Sequence, residues 1–193
     1  MNKCFITAVI APSNNESVCI GNLKCPVLRA VTCDSGGETL EINIMLPPAL
    51  TGKRLSKLHT SEIIVFEGNI LELPKDHIVY TPVDFRIRSD KKCRCVAGSD
   101  ISSQISLVRK MTKDSPNLCI ISGKIINCFD KGGEIMTKAP EFIRGNIRKE
   151  FSFYLNYDED PVPGDKIVFL GEPQKNGLTG KIYSEMPRKK EEK

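Results

Sequence analysis

The strongest pattern in the chain is the run Ser61-Glu-Ile-Ile-Val-Phe-Glu-Gly-Asn-Ile-Leu-Glu-Leu73. A fainter copy follows at Gly164-Asp-Lys-Ile-Val-Phe-Leu-Gly-Glu-Pro173. Both are β-branched and aromatic stretches interrupted by a glycine, which predicts a buried strand with a bend or bulge. Upstream, Leu40, Ile42, Ile44 and Leu46 alternate with Glu41 and Asn43, the pattern of a half-buried strand over 38–46. Phe5–Ala11, Val27–Cys33 and His77–Arg88 complete a set of five, with Pro82 marking an edge or a break in the last. Pro12-Ser-Asn-Asn15 and Asp34-Ser-Gly-Gly37 carry turn chemistry, and the second reads as a hairpin. Residues 16–26 read as a loop. Residues 49–60 are polar and basic, with Leu50, Leu55 and Leu58 spaced for a short helix or an ordered loop. The long connections fall after the first and third strands, which is what a five-stranded OB-fold barrel needs.

The order then repeats. Leu118–Asn127 matches the first strand, Glu150–Tyr157 the third, Lys166–Leu170 the fourth and Thr179–Glu185 the last. Phe129–Lys149 reads as a long loop able to hold a strand. Between the two sets, Ser99–Met111 has Ile101, Ile105 and Val108 on one helical face, so a capped helix and a flexible connector both remain open. The expected fold class is therefore mainly β: two tandem five-stranded OB-fold barrels joined by a short linker with room for a helix. The expected division is an OB-fold domain over 1–90, a basic linker over 91–116, a second OB-fold domain over 117–186 and a disordered charged tail over 187–193.

Charge sharpens this division. The net charge of +4 is the sum of −1 over residues 1–90, +4 over 91–116, −1 over 117–186 and +2 over 187–193. The excess thus sits in the connector and tail, which argues against a basic coat over the whole surface and leaves room for local basic patches. No apolar run reaches the length of a membrane span, and Thr7 and Pro12 suit a first strand better than a signal peptide. A cytoplasmic location is expected, with no membrane partner. The eight cysteines include no Cys-x-x-Cys pair. A zinc site from Cys19, Cys25, Cys93 and Cys95 has the wrong spacing for a knuckle, and reduced cysteines acting as small hydrophobes are preferred. No metal and no cofactor are expected.

Enzyme chemistry finds little support. His59 and His77 are the only histidines, and neither has a nucleophile or a ligand set beside it in the sequence. Asp158, Glu159 and Asp160 suit a solvated turn held by Pro161 and Pro163. Gly132-Gly133 lacks the Lys-Ser/Thr of a phosphate-binding loop. Single-stranded nucleic acid, by contrast, is held by aromatic platforms and cations along a groove. Tyr154 points away from Phe151, Phe153 and Leu155 on its strand. The preceding loop interleaves Lys138, Phe142, Arg144, Arg148 and Lys149, and OB-folds commonly bind through their first loop. In the first unit Tyr80, Arg86 and Arg88 are expected on one face of the last strand, opposite Val79, Val83, Phe85 and Ile87. Lys53, Arg54 and Lys57 add a cationic connector.

On these residues the N-terminal unit resembles the bacterial single-stranded DNA-binding protein family. The likeness rests on Met1-Asn-Lys heading the first strand, the glycine hairpin at 36–37, the strand over 39–46 and Lys53-Arg-Leu-Ser-Lys-Leu58. Ile64-Val-Phe-Glu-Gly-Asn-Ile70 resembles the family's V-x-V-E-G-x-L strand. The second unit shares Asn117-Leu-Cys-Ile-Ile-Ser-Gly-Lys-Ile125 and Gly164–Gly171, so roughly three-quarters of the chain is covered. The chain departs from the family in its short basic end, Met186–Lys193, and in having no tryptophan. A tandem variant fits better, and the family's tail-borne partner recruitment is not carried over. The resemblance implies largely sequence-independent binding of single-stranded DNA, with RNA as the alternative strand. It implies a role in replication, recombination or repair, with a homo-oligomer or proteins of those processes as further partners. An OB-fold scaffold docking a replication or translation complex is the alternative.

Overall fold

The computed structural model describes residues 1–12, 16–20, 22–50, 58, 60–73, 77–88, 101–138, 150–175 and 177–185. The hydrophobic alternation becomes β1 (Asn2–Ile10), β2 (Glu16–Ile20), β3 (Leu23–Cys33), β4 (Thr39–Met45), β5 (Ile63–Leu73) and β6 (His77–Arg88). After α1 (Ile101–Asp114) come β7 (Leu118–Phe129), β8 (Gly132–Lys138), β9 (Glu150–Asn156), β10 (Lys166–Gln174) and β11 (Gly177–Glu185). Among the described residues no helix is long and apolar enough to cross a membrane.

The first five long strands close on themselves. β1 pairs with β3, β3 with β4, β4 with β6 in parallel, β6 with β5, and β5 returns to β1. That is a closed five-stranded OB barrel, mainly β as expected. The pairings among the later strands trace the same circuit: β7–β8–β9, a parallel β9–β11 contact, β11–β10, and β10 back to β7. Residues 16–26, expected as a loop, instead hold β2 and the start of β3. Ser17 and Val18 lie opposite Pro26 and Cys25. A five-residue edge strand that starts Glu-Ser has little periodicity of its own, and the pairing partner decides its state. The strand that Phe129–Lys149 had room for is β8, which follows β7 after a two-residue turn.

The glycine in each strong run serves backbone approach. A Cβ on Gly68 would lie 2.3 Å from the Thr81 carbonyl oxygen, and one on Gly171 would lie 2.2 Å from that of Thr179. In both hairpins the register also slips by one residue. The two glycines hold equivalent places, since Cys4 pairs with Gly68 and Cys119 pairs with Gly171.

The two circuits meet along one seam. β1 and β7 run antiparallel with Cys4 opposite Cys119, flanked by Lys3–Ile120 and Phe5–Leu118. The ladder is symmetric about the cysteine pair, so the rings are related by a pseudo-two-fold axis there. All eleven strands therefore form one hydrogen-bonded sheet, and one core cluster runs from Ile6, Phe66 and Ile70 through to Ile121, Phe153 and Phe169. Besides the connector, the two rings are thus joined directly by this shared ladder and core. Asn117, 4 % exposed, locks the seam. It accepts from the Thr7 N–H (2.8 Å) and donates to Thr32 Oγ1 (2.7 Å) and the Cys33 carbonyl (3.0 Å). Every polar atom of that side chain is thus satisfied, as burial requires. Glu172 adds a surface tie, accepting from the Ser35 N–H (2.9 Å) and hydroxyl (2.7 Å).

The helical periodicity of the connector is realised as α1, whose buried residues Gln104, Val108 and Thr112 recur every four positions. Val108 packs with Val9, Val31, Cys33 and Ile63, and Ile101, Ile105 and Met111 flank them. Arg109 fixes the helix to the β3–β4 turn, donating from Nε to the Gly37 carbonyl (2.9 Å). α1 is therefore more than a connector, because it covers the outer side of β1 and β3.

Candidate nucleic-acid interface

Directly opposed residues in a sheet point to the same side, so register defines the outer face of the second ring. Inward, Ile125, Ile135 and Phe153 form one row, and Ile125, Ile135 and Phe153 are fully buried. Outward, one row is Lys124, Met136 and Ser152, and the next is Asn127, Glu134 and Tyr154. Lys138 and Glu150 face each other at one end. At the other end Phe129 lies opposite Gly132, where a Cβ would lie 2.1 Å from the Leu155 carbonyl oxygen of β9.

Phe129 leans across to Tyr154, with ring centroids 6.0 Å apart and planes inclined by 32°. Both are large and solvent-facing, Phe129 56 % and Tyr154 47 % exposed. The carboxylate in their midst, Glu134, accepts a 2.7 Å hydrogen bond from Asn127 Nδ2. Exposed lysines lie on the same three strands and their turn: Lys124 on β7, Lys131 in the turn after Phe129 and Lys138 at the far end of β8. The face therefore offers a paired π-surface edged by cations, which can stack bases and neutralise phosphates.

Tyr154 stands where alternation predicts. Phe129 was not anticipated. It is brought to Tyr154 only by the pairing of β8 on both sides, and nothing local in the sequence marks that contact. Lys138 is exposed on the same face. Phe142, Arg144, Arg148 and Lys149 lie outside the described residues, as do Lys53, Arg54 and Lys57. The segment holding the former four joins β8 to β9 and is the ring's second connection. The expectation that it is the first loop is corrected, since the first connection is the Asp130-Lys131 turn.

Tyr80 is also corrected. It is 3 % exposed and belongs to the core, not to an outer face. The register slip places Gly68 opposite Pro82 and Glu67 opposite Asp84, so Val83 is the extra residue. Alternation changes phase there: Tyr80 and Pro82 are buried, Val83 is exposed, and Arg86 and Arg88 point outward. Burial drives the Tyr80 phenol well above its ordinary pKa, with Cys119 and Cys4 nearby adding to it. Arg88 turns towards α1, 2.8 Å from Met111 Sδ. Arg86 and Arg88 thus lie on β6 of the helix-bearing ring, whereas the aromatic pair lies on β7 and β9 of the other.

The zinc set is not assembled among the described residues. Cys25 is buried and Cys19 exposed in the β2–β3 hairpin, with Cys19 opposite Lys24, while Cys93 and Cys95 lie outside those residues. Among the described residues no group of three His, Cys, Asp or Glu gathers as a metal site.

No family model matches the chain, and no curated protein matches it. Solved structures do. The wild-type single-stranded DNA binding protein from Thermus aquaticus superposes with a TM-score of 0.54 at 9 % identity, covering 98 % of this chain and 94 % of that one. A deletion mutant of the same Thermus aquaticus protein gives 0.50 at 9 % identity, covering 98 % of both chains. At this identity the likeness is one of fold, and it extends over nearly the whole chain.

Proposed function

We propose that the protein is a non-enzymatic, largely sequence-independent binder of single-stranded DNA built from tandem OB units, with the outer face of the second ring as its main interface. The observation that carries this reading is the exposed Phe129–Tyr154 pair on the outer side of β7–β9. Bases stack there in any order because every base has a π-face. Lys124, Lys131 and Lys138 take the phosphates, and Arg144, Arg148 and Lys149 supply further cations next to that face in the sequence. The fold likeness to proteins named for single-stranded DNA favours DNA over RNA. Coating or handling of single strands in replication, recombination or repair is the corresponding cellular role.

Titration of fluorescently labelled oligonucleotides tests it. Binding is expected at low salt and weakens as salt rises, because phosphate contacts release counterions. Absence of binding to DNA and RNA at low salt would sink the reading. A protein-docking scaffold is the second reading, and the balance of Glu134 and Glu150 against Lys124 and Lys138 on this face favours it. It predicts oligonucleotide binding that is absent, or unchanged by Phe129→Ala.

A further inference from the structure

Tyr154 belongs to two surfaces at once. It is half of the aromatic pair, and it also lines a cleft of about 440 Å³ between the two rings. The cleft is built from equivalent parts: Glu41 and Asn43 on β4, Glu72 on β5, and, from the second ring, Tyr154, Gln174 and Lys175. Its volume falls within the ~300–1,000 Å³ typical of small-ligand sites. A strand lying across Phe129 and Tyr154 therefore reaches the mouth of the cleft directly.

The lining chemistry restricts what enters. Glu41, at an exposed position, disfavours phosphate beside β4, so a base rather than the sugar-phosphate backbone fits that side of the cleft. A carboxylate accepts from an exocyclic amine, and a carboxamide can both donate and accept at a base edge. Glu41 and Asn43 lie two residues apart on one side of β4. Tyr154 offers a face for stacking, and Lys175 can hold the flanking phosphate at the rim. Thymine presents carbonyl oxygen where cytosine and adenine present an amine, so it sets acceptor against carboxylate.

We propose that this cleft takes one unstacked base of the bound strand and prefers cytosine or adenine, which carry an amine where thymine carries O4, to thymine. The inference rests on the single-stranded DNA reading and adds a graded base preference to an otherwise sequence-tolerant surface. Its test compares a labelled thymine oligomer with the same oligomer carrying cytosine at alternate positions, by anisotropy at fixed salt. The cytosine-bearing strand is expected to bind about five- to tenfold more tightly, at the lower end of base discrimination by a good polar pair. Glu41→Gln, at an exposed position, is expected to bring that ratio close to one. Equal affinity of the wild-type protein for both strands overturns the inference and leaves the parent reading standing. Binding of neither strand overturns both. A Glu41→Gln protein that gains affinity equally for both strands, keeping the wild-type ratio, shows Glu41 acting only by repulsion and overturns the base pocket. Free deoxycytidine monophosphate binding as tightly as the oligomer would make the occupant a nucleotide and overturn it too.

Discussion

The two rings share a strand order and differ in what lies on their outer sides. In the first, Val9, Val31 and Ile63 are apolar and are covered by α1, with Val108 fully buried between them. In the second, β7 places Lys124, Asn127 and Phe129 outward and no helix covers them among the described residues. One ring uses its outer side to dock the chain's own helix, and the other leaves Lys124, Asn127 and Phe129 exposed. Repetition of a strand order therefore does not repeat the outer surface, because that surface depends on outward residues that the ring does not need.

The largest expected effect would break or sharpen this contrast directly. Phe129→Ala and Tyr154→Ala should each weaken oligonucleotide binding by about 1–3 kcal/mol, the cost of losing one stacked base, with little change in melting temperature. Arg86→Ala on the first ring should cost much less, about 0.5 kcal/mol, as a single screened charge contact. Equal losses from both rings, measured by anisotropy, would remove the assigned asymmetry.

Comparable in size is a test of what the rings have in common. Gly68→Ala and Gly171→Ala each push a Cβ against a carbonyl oxygen of the neighbouring strand, at 2.3 and 2.2 Å. Forcing those strands apart should cost about 2–3 kcal/mol in each case. For a chain of this size that is roughly 5–10 °C in melting temperature. A large loss at one glycine and none at the other, in thermal melts, would show that the two hairpins are not equivalent.

These pairs also show what was legible in the sequence. Gly68 and Gly171 could be found because each interrupts a long apolar run, and such runs announce strands whatever their partners. The short strand β2 could not, and the glycine-led β8 was open only as a strand somewhere within a loop. Glu16–Ile20 and Gly132–Lys138 form strands because neighbours supply hydrogen bonds, on one side for β2 and on both for β8. Tyr80 misled because strict alternation holds only while the register is unbroken, and the extra residue Val83 reverses it. Phe129 stayed hidden because its contact with Tyr154 joins residues 25 apart in sequence. The periodicity of α1 was visible in Ile101, Ile105 and Val108, but not the surface it would cover. That surface is set by apolar outward residues on β1 and β3, which look like ordinary strand residues.

A smaller effect probes the covered side. Val108→Ala removes two methyl groups from a site with no exposure, and should cost about 2 kcal/mol. The loss should fall on global stability and leave oligonucleotide affinity unchanged, as read by denaturant melts and titration side by side. A fall in affinity instead would mean that the helix, rather than the open face of the second ring, helps hold the strand.

The smallest effect near neutrality comes from the seam, where the two rings stop being separable. Cys4 and Cys119 face each other across β1 and β7, and burial pushes both thiols well above the ordinary thiol range. Tyr157 is pushed up to about 12, again chiefly by burial. Each group is an acid that stays protonated longer in the folded chain than in the unfolded one. Above about pH 9 the unfolded state therefore holds fewer protons, and stability falls as pH rises. The thiol contribution is intact below that point, and the Tyr157 contribution is lost between about pH 10 and 12. Melting temperature should thus be flat through neutrality and decline above about pH 9. Because the cysteine pair belongs to both rings, the decline should appear as one cooperative transition. Two separating transitions in alkaline melts would mean that the rings unfold independently and that the shared ladder does little to couple them. Cys4→Ala with Cys119→Ala should reduce the slope of the decline, since the groups that must remain protonated at the seam would be gone.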